Sequence, residues 1–290
     1  MPNNITLFKQ YTDLLDEVYQ AAAKTSVLDM DGSLVQAGAS ADEIVIQKYN
    51  LDGLADYKRN GGYVDGSVSV EPETVKFNYD RGRRFTVDAM DNAETAGIAF
   101  GKLSAEFIRR KVVPEMDAFR FASYAAADGI FSKDETLSSG EGVIGSLTAA
   151  TNTMDEEEVD TESRVLFISP TLLTMAQNVD TSKSQRIFER FSTVITVPHK
   201  RFYTAIDLLD GESENELAGG FKKAEGAQEI NFLIVEKSSA IQFTKHTVSK
   251  IFSPEENQSS DGWLFVYRAY GLCDTYENRR AGIYLSAAPA

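Results

Sequence analysis

The sequence predicts an α+β fold, and three observations support this prediction. Residues 41–90 and the region after 240 carry short segments in which apolar residues recur at every second position, the spacing of half-buried strands. Residues 91–127 carry apolar side chains at helical spacing. Residues 135–235 alternate strand-like apolar runs with helix-like segments, which is typical of an α/β unit.

Length and composition limit the class of protein. The chain has 290 residues, one cysteine, two histidines and a formal net charge of −15. One cysteine excludes an intrachain disulfide framework and a multi-cysteine metal cluster, and two histidines exclude a His-rich metal site. A surface with this much negative charge repels the phosphate backbone of nucleic acids over most of its area. No segment approaches the ~20 consecutive apolar residues that span a bilayer, so no membrane partner is expected.

The first 90 residues carry too little apolar surface to form a core of their own. Residues 6–24 have one apolar face at helical spacing, and either a short surface helix or an extended arm on a neighbouring subunit fits this pattern. In 41–90 we expect strands with a turn at Glu71–Thr74, where Pro72 lies. A hairpin tip is expected in LADYKRNGGYVDG, residues 54–66. Because an isolated hairpin is marginally stable, this one should lie against the rest of the chain or another copy.

Residues 91–127 predict a helix longer than average, such as one that spans a subunit. Asp91 or Asn92 can cap its start. Pro114 lies within the apolar pattern, lacks a backbone donor, and should kink the helix or divide it.

The α/β region contains three apolar runs that predict strands, namely RVLFISP, FSTVITVP and INFLIVEK. Between the second and third runs, the polar, Gly-rich residues 207–228 predict a mobile loop. Aromatic and β-branched segments after residue 240 predict further strands.

The search for catalytic chemistry finds no nucleophile–base or metal-protease motif. The acidic run Asp155–Glu158 fits an exposed helix end better than a divalent-cation site, because it lacks the spacing of a calcium loop. His199 and His246 have no acidic or cysteine partner nearby in the sequence, so neither is expected to act as a catalytic base. Cys273 lies in an aromatic strand, where we expect it to be a small, buried apolar residue. We therefore expect no catalytic residues, no metal and no cofactor.

The order of these elements resembles that of the major capsid proteins of tailed bacteriophages, which have the Hong Kong 97-type capsid fold. The resemblance extends over nearly the whole chain. The segments that carry it are LADYKRNGGYVDGSV, the Arg-rich DRGRRFTVDAMDN, RVLFISP, VITVPHKRF and INFLIVEKSSAI.

The resemblance implies a division of the chain. Residues 1–40 would form the N-terminal arm, and 41–90 an extended β-hairpin loop that lies over an adjacent subunit. Residues 91–129 and 236–290 would form a peripheral domain with a long spine helix, and 130–235 an α/β axial domain. Charged residues of the loop region would contact neighbouring subunits. These are Lys58, Arg59, Asp65, Arg81, Arg83 and Arg84.

The function implied is self-assembly into an icosahedral shell that encloses phage DNA without sequence-specific binding. The partners would be other copies of the chain in hexamers and pentamers, a portal, and a separate scaffolding protein, since the chain begins almost directly with its arm. Assembly would take place in the bacterial host cytoplasm, and the protein would end in the virion. Some relatives join subunits through a Lys–Asn isopeptide bond, for which Lys58 and Asn278, with Glu277 nearby, are weak candidates.

Two alternatives remain open. An encapsulin, a bacterial compartment shell that loads enzyme cargo, would have the same fold. A soluble α/β enzyme that uses the acidic run at Asp155–Glu158 belongs to a different class, and the absence of a nucleophile–base pair disfavours it.

Overall fold

The computed structural model describes residues 23–30, 36–37, 43–57, 59, 62–88, 90, 104–179, 181–257 and 260–289. The predicted helix at 6–24 therefore lies almost wholly outside the described residues, as do residues 91–103 of the predicted long helix and the Asn60–Gly61 pair. The described strands are β1 Gln36–Ala37, β2 Glu43–Leu51, β3 Val68–Lys76, β4 Tyr79–Asp88, β5 Phe131–Asp134, β6 Arg164–Ile168, β7 Thr193–Thr196, β8 Ile206–Leu209, β9 Gly220–Lys223, β10 Ile230–Glu236, β11 Ala240–Phe252, β12 Gly262–Thr275 and β13 Ile283–Ala287. The α-helices are α1 Val113–Ala125, α2 Gly140–Glu156, α3 Pro170–Gln177 and α4 Thr181–Phe188.

A five-stranded sheet in the order β5-β13-β10-β6-β7 lies at the centre of the fold. Its inner pairs β13–β10 and β10–β6 are antiparallel, whereas β13–β5 and β6–β7 are parallel. Every residue of β6 and β13 is buried. Strands covered on both faces favour apolar side chains at successive positions, which explains the apolar runs VLFI in β6 and FLIV in β10.

Different helices cover the two faces of this sheet. Helices α2, α3 and α4 pack on one face, where Leu147 and Met154 contact a cluster that includes Leu166 and Phe232. Helix α1 packs on the other face. There Phe121 lies edge-on to Phe167, with ring centroids 5.2 Å apart. The predicted α/β unit is confirmed, and the predicted long helix is confirmed over its described residues, 104–125.

The long helix also covers a second sheet, of order β11-β12-β4 and wholly antiparallel. The first turns of the helix supply Ile108, Val112 and Met116 to a cluster with Phe265 and Tyr267 of β12. One helix thus joins two sheets, and the terminal strands after 240 form where the sequence predicts them.

The irregularity predicted at Pro114 is present, and it does not divide the helix. Helical residues run without a break from 104 to 125, and Ile108–Val112 form a π-helical turn immediately before the proline. In a regular α-helix the proline ring would collide with the carbonyl four residues earlier. A π turn changes the hydrogen-bond register at this point and accommodates the missing donor.

The turn predicted at Glu71–Thr74 is wrong. Pro72 lies inside β3, which pairs with β2 over nine residues, and Pro72 is opposite Gln47. β3 is an edge strand of the sheet β1-β2-β3. Proline is tolerated on an edge strand because one side of that strand needs no hydrogen-bond donor. The hairpin therefore turns only at the predicted tip, between Leu51 and Val68.

The mobile loop predicted at 207–228 is also wrong. β8 and β9 form an antiparallel hairpin there. Asp210 closes the connecting segment by accepting hydrogen bonds from the backbone N–H groups of Glu212 and Ser213. Polar composition alone does not distinguish a loose loop from one that its own side chains close.

The last strand belongs to the central sheet. β13 pairs with β10 and β5, and not with β11 or β12. The predicted boundary at residue 236 groups β13 with β11 and β12, whereas strand pairing returns the end of the chain to the α/β unit.

Two glycines of α2 provide a matched test of packing. A Cβ at Gly140 would collide with the carbonyl oxygen of Met175, which is backbone and cannot rotate away, whereas a Cβ at Gly145 would meet nothing within 4 Å. We expect Gly140→Ala to lower the free energy of unfolding by roughly 1–3 kcal/mol. Gly145→Ala should raise it by about 0.5–1 kcal/mol, because alanine favours a helix interior. Urea denaturation of both variants measures this difference, and equal effects would contradict the packing of α2 on α3.

Candidate inter-subunit interface

The six charged residues predicted to contact other subunits fall into two groups in the structure. Arg59 and Asp65 lie in the segment between β2 and β3, and Lys58 of the same segment lies outside the described residues. Arg81, Arg83 and Arg84 lie on β4. The prediction treated them as one charged loop, whereas the fold places the two groups on different sheets.

We call the segment 52–67, between β2 and β3, the hairpin tip. Its apolar side chains are fully or largely exposed, with Leu54 at 107% and Tyr63 at 90% of their maximal accessible surface. Tyr57 and Tyr63 contact each other, with ring centroids 5.0 Å apart. At the other end of the hairpin, Ile44 and Val75 are buried against β11 and β12. The hairpin is thus anchored at its base and exposed at its tip.

Arg81 and Arg83 make contacts within their own chain. The Arg81 Nε atom lies 2.8 Å from Glu115 Oε1, at the start of α1. The Tyr79 hydroxyl donates to the same oxygen over 3.3 Å, and burial, followed by the charge of Glu115, raises the pKa of Tyr79. Arg83 donates to the carbonyl oxygen of Leu217, in the loop between β8 and β9. Both arginines therefore connect β4 to other parts of the same subunit.

Arg84 lies on the opposite face of the sheet. Successive side chains of a strand alternate between faces, so Arg84 points away from α1, unlike Arg81 and Arg83. Asp80 shares this outer face and accepts two hydrogen bonds from Arg268, at 2.8 and 2.6 Å. These bonds lower the pKa of the Asp80 carboxyl group. Arg84 is exposed and free to meet a neighbouring copy.

Methionine substitutions of two β4 arginines separate their roles. Arg81→Met leaves Glu115, whose side chain is only 11% exposed, without its cationic partner, so we expect a loss of roughly 1–3 kcal/mol in unfolding free energy. Arg84→Met removes no described contact within the chain and should change stability by less than about 0.5 kcal/mol. Thermal and urea denaturation compare the two variants. A larger loss for Arg84→Met would contradict the intrachain role of Arg81.

A cavity of about 360 Å³ lies beside these arginines. Tyr79, Phe85, Phe107 and Tyr267 supply aromatic walls from β4, β12 and the long helix. The β8–β9 hairpin closes one side. The lining also includes charged side chains, which are Arg81, Arg83, Arg110, Lys111, Glu106, Glu115 and Asp210. We call this cavity the aromatic pocket. The pocket was not predicted, because four separate stretches of sequence form it.

A buried polar cluster fixes the segment 23–30 to the long helix. The Asp117 carboxylate is 1% exposed and accepts from the backbone N–H of Lys24 and Thr25 and from the Thr25 hydroxyl. Arg201 donates to the same carboxylate over 3.0 Å. Arg120, 3% exposed, donates to the Thr25 hydroxyl. A short segment of the predicted arm is thus attached to its own subunit by charge-assisted hydrogen bonds.

No protein-family model matches the sequence, and no curated protein matches it. Structural comparison, by contrast, finds clear similarities. A structure of Gordonia phage Cozz superimposes with a TM-score of 0.58 at 10% identity, over 93% of this chain and 87% of that chain. The capsid structure of Cyanophage P-SCSP1u superimposes with a TM-score of 0.55 at 11% identity, over 88% of this chain and 85% of that chain. The chain has the Hong Kong 97-type capsid fold.

The fold is not restricted to phage structures. A virus-like particle from Pyrococcus furiosus superimposes with a TM-score of 0.57 at 9% identity, over 97% of this chain and 100% of that one. The β2–β3 hairpin lies within the residues that the sequence resemblance assigns to the extended loop, α1 within those assigned to the spine helix, and α2–α4 within those assigned to the axial domain. The resemblance inferred from sequence motifs is confirmed at the level of fold.

The acidic run in this capsid fold is a helix end, as predicted. Asp155, at the end of α2, pairs with the buried Arg164 over 2.7 Å and lies 3.6 Å from Arg190. Glu156, Glu157 and Glu158 are exposed. Among the described residues, no three His, Cys, Asp or Glu side chains are grouped so that they could hold a metal ion. Asp155 therefore takes part in a structural ion pair with Arg164.

In the described part of the capsid fold, no helix is both long and apolar enough to cross a bilayer. Cys273 is buried, as predicted, and burial raises the pKa of its thiol to about 12.

Proposed function

We propose that this chain is the major capsid protein of a tailed bacteriophage and that it self-assembles into an icosahedral shell enclosing double-stranded DNA. The observation that carries the proposal is the hairpin tip. Leu54 and Tyr63 are exposed as fully as in an isolated peptide, on a hairpin anchored only at its base. A monomeric protein rarely presents such a group of large apolar side chains without a partner to cover it.

The capsid fold supplies the remaining support. In this proposal the arm is residues 1–40, the extended loop 41–90, the peripheral domain 91–129 with most of 236–290, and the axial domain 130–235 together with β13, which pairs with β10 and β5. Arg59, Asp65 and Arg84 are exposed and would contact neighbouring copies, as would Lys58, which lies outside the described residues. Several contacts of standard size, about 1,600 Å² each, would sum to a stable shell even where each contact is weak.

The proposed partners follow from this role. Copies of the chain form hexamers and pentamers, a portal occupies one vertex, and a scaffolding protein directs assembly in the host cytoplasm. The net charge of −15 is consistent with DNA that is enclosed rather than bound. The mature protein resides in the virion.

Negative-stain electron microscopy with size-exclusion chromatography of the expressed protein tests the proposal. Closed shells or rings of five and six subunits are expected. A stable monomer, even after addition of a scaffolding protein, would contradict it.

A compartment shell of the encapsulin type is the second candidate, and the similarity to the Pyrococcus furiosus virus-like particle favours it. The contents of purified shells separate the two candidates. A shell that co-purifies with one host enzyme and no DNA supports the compartment, and a shell that requires scaffold and portal and fills with DNA supports the capsid.

A further inference from the structure

The β8–β9 hairpin, residues 206–223, has no apolar core to hold it in place. No residue from 203 to 229 is buried, and each of the two strands has only four residues. A two-stranded hairpin of this size is marginally stable by itself. Its position in the fold must therefore depend on contacts at its two ends.

The root of the hairpin is fixed to the α/β unit. Phe202, just before β8, is fully buried, with its ring centroid 4.9 Å from that of Phe121. Its carbonyl oxygen accepts a hydrogen bond from the backbone N–H of Ile230, the first residue of β10. Thr204 and Gln228 close the root, since the Thr204 hydroxyl accepts from the Gln228 N–H over 2.8 Å. The root therefore moves with the central sheet.

The other end of the hairpin is attached to β4. Arg83 donates to the carbonyl oxygen of Leu217 over 2.8 Å, and Arg81 donates to that of Gly220 over 3.2 Å. β4 belongs to the β11-β12-β4 sheet, which we call the peripheral sheet. The hairpin thus forms a bridge from the α/β unit to the peripheral sheet that is separate from the long helix.

Two glycines shape the loop around the Arg83 guanidinium. Gly211 and Gly219 both have left-handed backbone, with φ values of +73° and +62°. A Cβ on Gly211 would lie 2.5 Å from Arg83 Nη1, and one on Gly219 would lie 3.2 Å from it. Glycine alone combines this backbone with so close an approach at no steric cost. The loop is therefore fitted to this one side chain.

Charge favours the same docked position. The hairpin carries five acidic and two basic side chains. One of the acids, Asp210, has a pKa lowered by hydrogen bonds from the Ser213 hydroxyl and the backbone N–H groups of Glu212 and Ser213, so it is ionised at neutral pH. Arg81 is already paired with Glu115, whereas the described contacts of Arg83 include no carboxylate. Arg83 therefore supplies positive charge against a negatively charged hairpin.

We propose that the β8–β9 hairpin is a strut that fixes the angle between the α/β unit and the peripheral sheet, and that Arg83 is the positioning residue that determines where the strut docks. Parts of a chain that meet over a small or polar interface ordinarily move relative to each other. The long helix joins the two sheets along one line, and a second attachment beside that line prevents rotation about it. The consequence for the shell rests on the proposed function: every subunit presents its contacts at the same angle, and shells have one diameter.

Distances between nitroxide spin labels test the strut. Ala149→Cys on α2 and Thr247→Cys on β11 report the angle between the α/β unit and the peripheral sheet, and Glu214→Cys with Thr247→Cys reports docking of the hairpin. All three positions are exposed. Labelled chains are diluted into unlabelled protein so that distances within one chain are measured. The native Cys273 should not react, because it is buried and its pKa is about 12.

Two substitutions disturb the docking site, and a third controls for backbone strain. Arg83→Met removes the donor to Leu217, and Gly211→Ala displaces the guanidinium. Gly226→Ala is the control. Its φ of +75° imposes a similar strain, but a Cβ there would meet nothing within 4 Å.

Both distance distributions should be narrow in the native chain and in Gly226→Ala. Arg83→Met and Gly211→Ala should broaden both, and the undocked population should rise roughly tenfold, as for loss of one hydrogen bond from a charged donor. The two changes combined should broaden the distributions no further than strain alone does, because they act on one contact. If the Glu214 pair broadens while the Ala149 pair stays narrow, the hairpin is not a strut. Equal broadening by Gly226→Ala, or none by Arg83→Met, would overturn the role of Arg83.

Electron microscopy of assembled shells separates this inference from the proposed function. Arg83→Met should give shells of several diameters, and Gly226→Ala shells of one diameter. Absence of shells from the unmodified protein would overturn the proposed function alone, since the label distances still decide whether the hairpin is a strut. Shells of one diameter from Arg83→Met chains with broadened distances would overturn the link between the strut and shell size.

Discussion

Replacement of both Leu54 and Val64 with serine is expected to abolish shell assembly and leave the folded subunit intact. Leu54 is fully exposed and Val64 is 61% exposed in the single chain, so the substitutions remove almost no contact within it. Burial of each side chain in a neighbour would contribute roughly 1.5–3 kcal/mol. Loss of both therefore weakens each contact by about 3–6 kcal/mol, which is a factor of about 10²–10⁴ in the association constant.

Three measurements check this prediction. Circular dichroism should show an unchanged subunit, thermal denaturation a nearly unchanged midpoint, and size-exclusion chromatography a loss of assembled species. Met90→Ser provides the control, since Met90 is 73% exposed and lies outside the tip. Normal shells from the double variant would mean that the exposed tip is not an assembly contact.

The second large effect is expected at Asp117. Asp117→Ala leaves the guanidinium of Arg201 without its carboxylate, and the N–H groups of Lys24 and Thr25 without an acceptor. Removal of one partner from a buried, hydrogen-bonded charge pair typically costs about 3–5 kcal/mol. We expect a fall of this size in the free energy of unfolding, measured in urea.

Proteolysis adds a readout that is specific to the segment 23–30. Trypsin should cleave after Lys24 faster in the variant, because the segment loses its attachment to α1. Asp128→Ala is the control, since Asp128 is exposed and should change neither stability nor cleavage. A variant with an unchanged denaturation midpoint would show that the cluster does not hold the segment.

The elements that were predicted correctly are those with a dense local signal. The apolar runs VLFI in β6 and FLIV in β10 arise because both faces of these strands are covered, and their short length indicates strands rather than helices. The errors at Pro72 and at 207–228 have a common cause. Proline and glycine mark turns only on average, and whether an edge strand or a closed loop accepts them depends on neighbours that are distant in sequence.

The candidate interface was predicted only in part. Sequence reasoning identified a charged, poorly apolar loop region and named Arg81, Arg83 and Arg84 as equivalent. The β4 register separates them, since Arg81 and Arg83 face the long helix and the β8–β9 loop, whereas Arg84 faces outward. The sequence does show that side chains of β4 alternate between the two faces of the sheet. Which of these faces is covered depends on where α1 packs.

The sequence by itself determined the α+β class, the central apolar strands, the irregular helix at Pro114 and the resemblance to the capsid fold. These features arise from local spacing, from composition, or from the order of short motifs along the chain. Only the tertiary structure decided that β13 joins the central sheet, that Asp117 holds Thr25, and that β4, the spine helix and the β8–β9 hairpin enclose a pocket. Each of these contacts joins residues that are distant in the sequence, and their formation depends on the packing of whole elements rather than on any local preference.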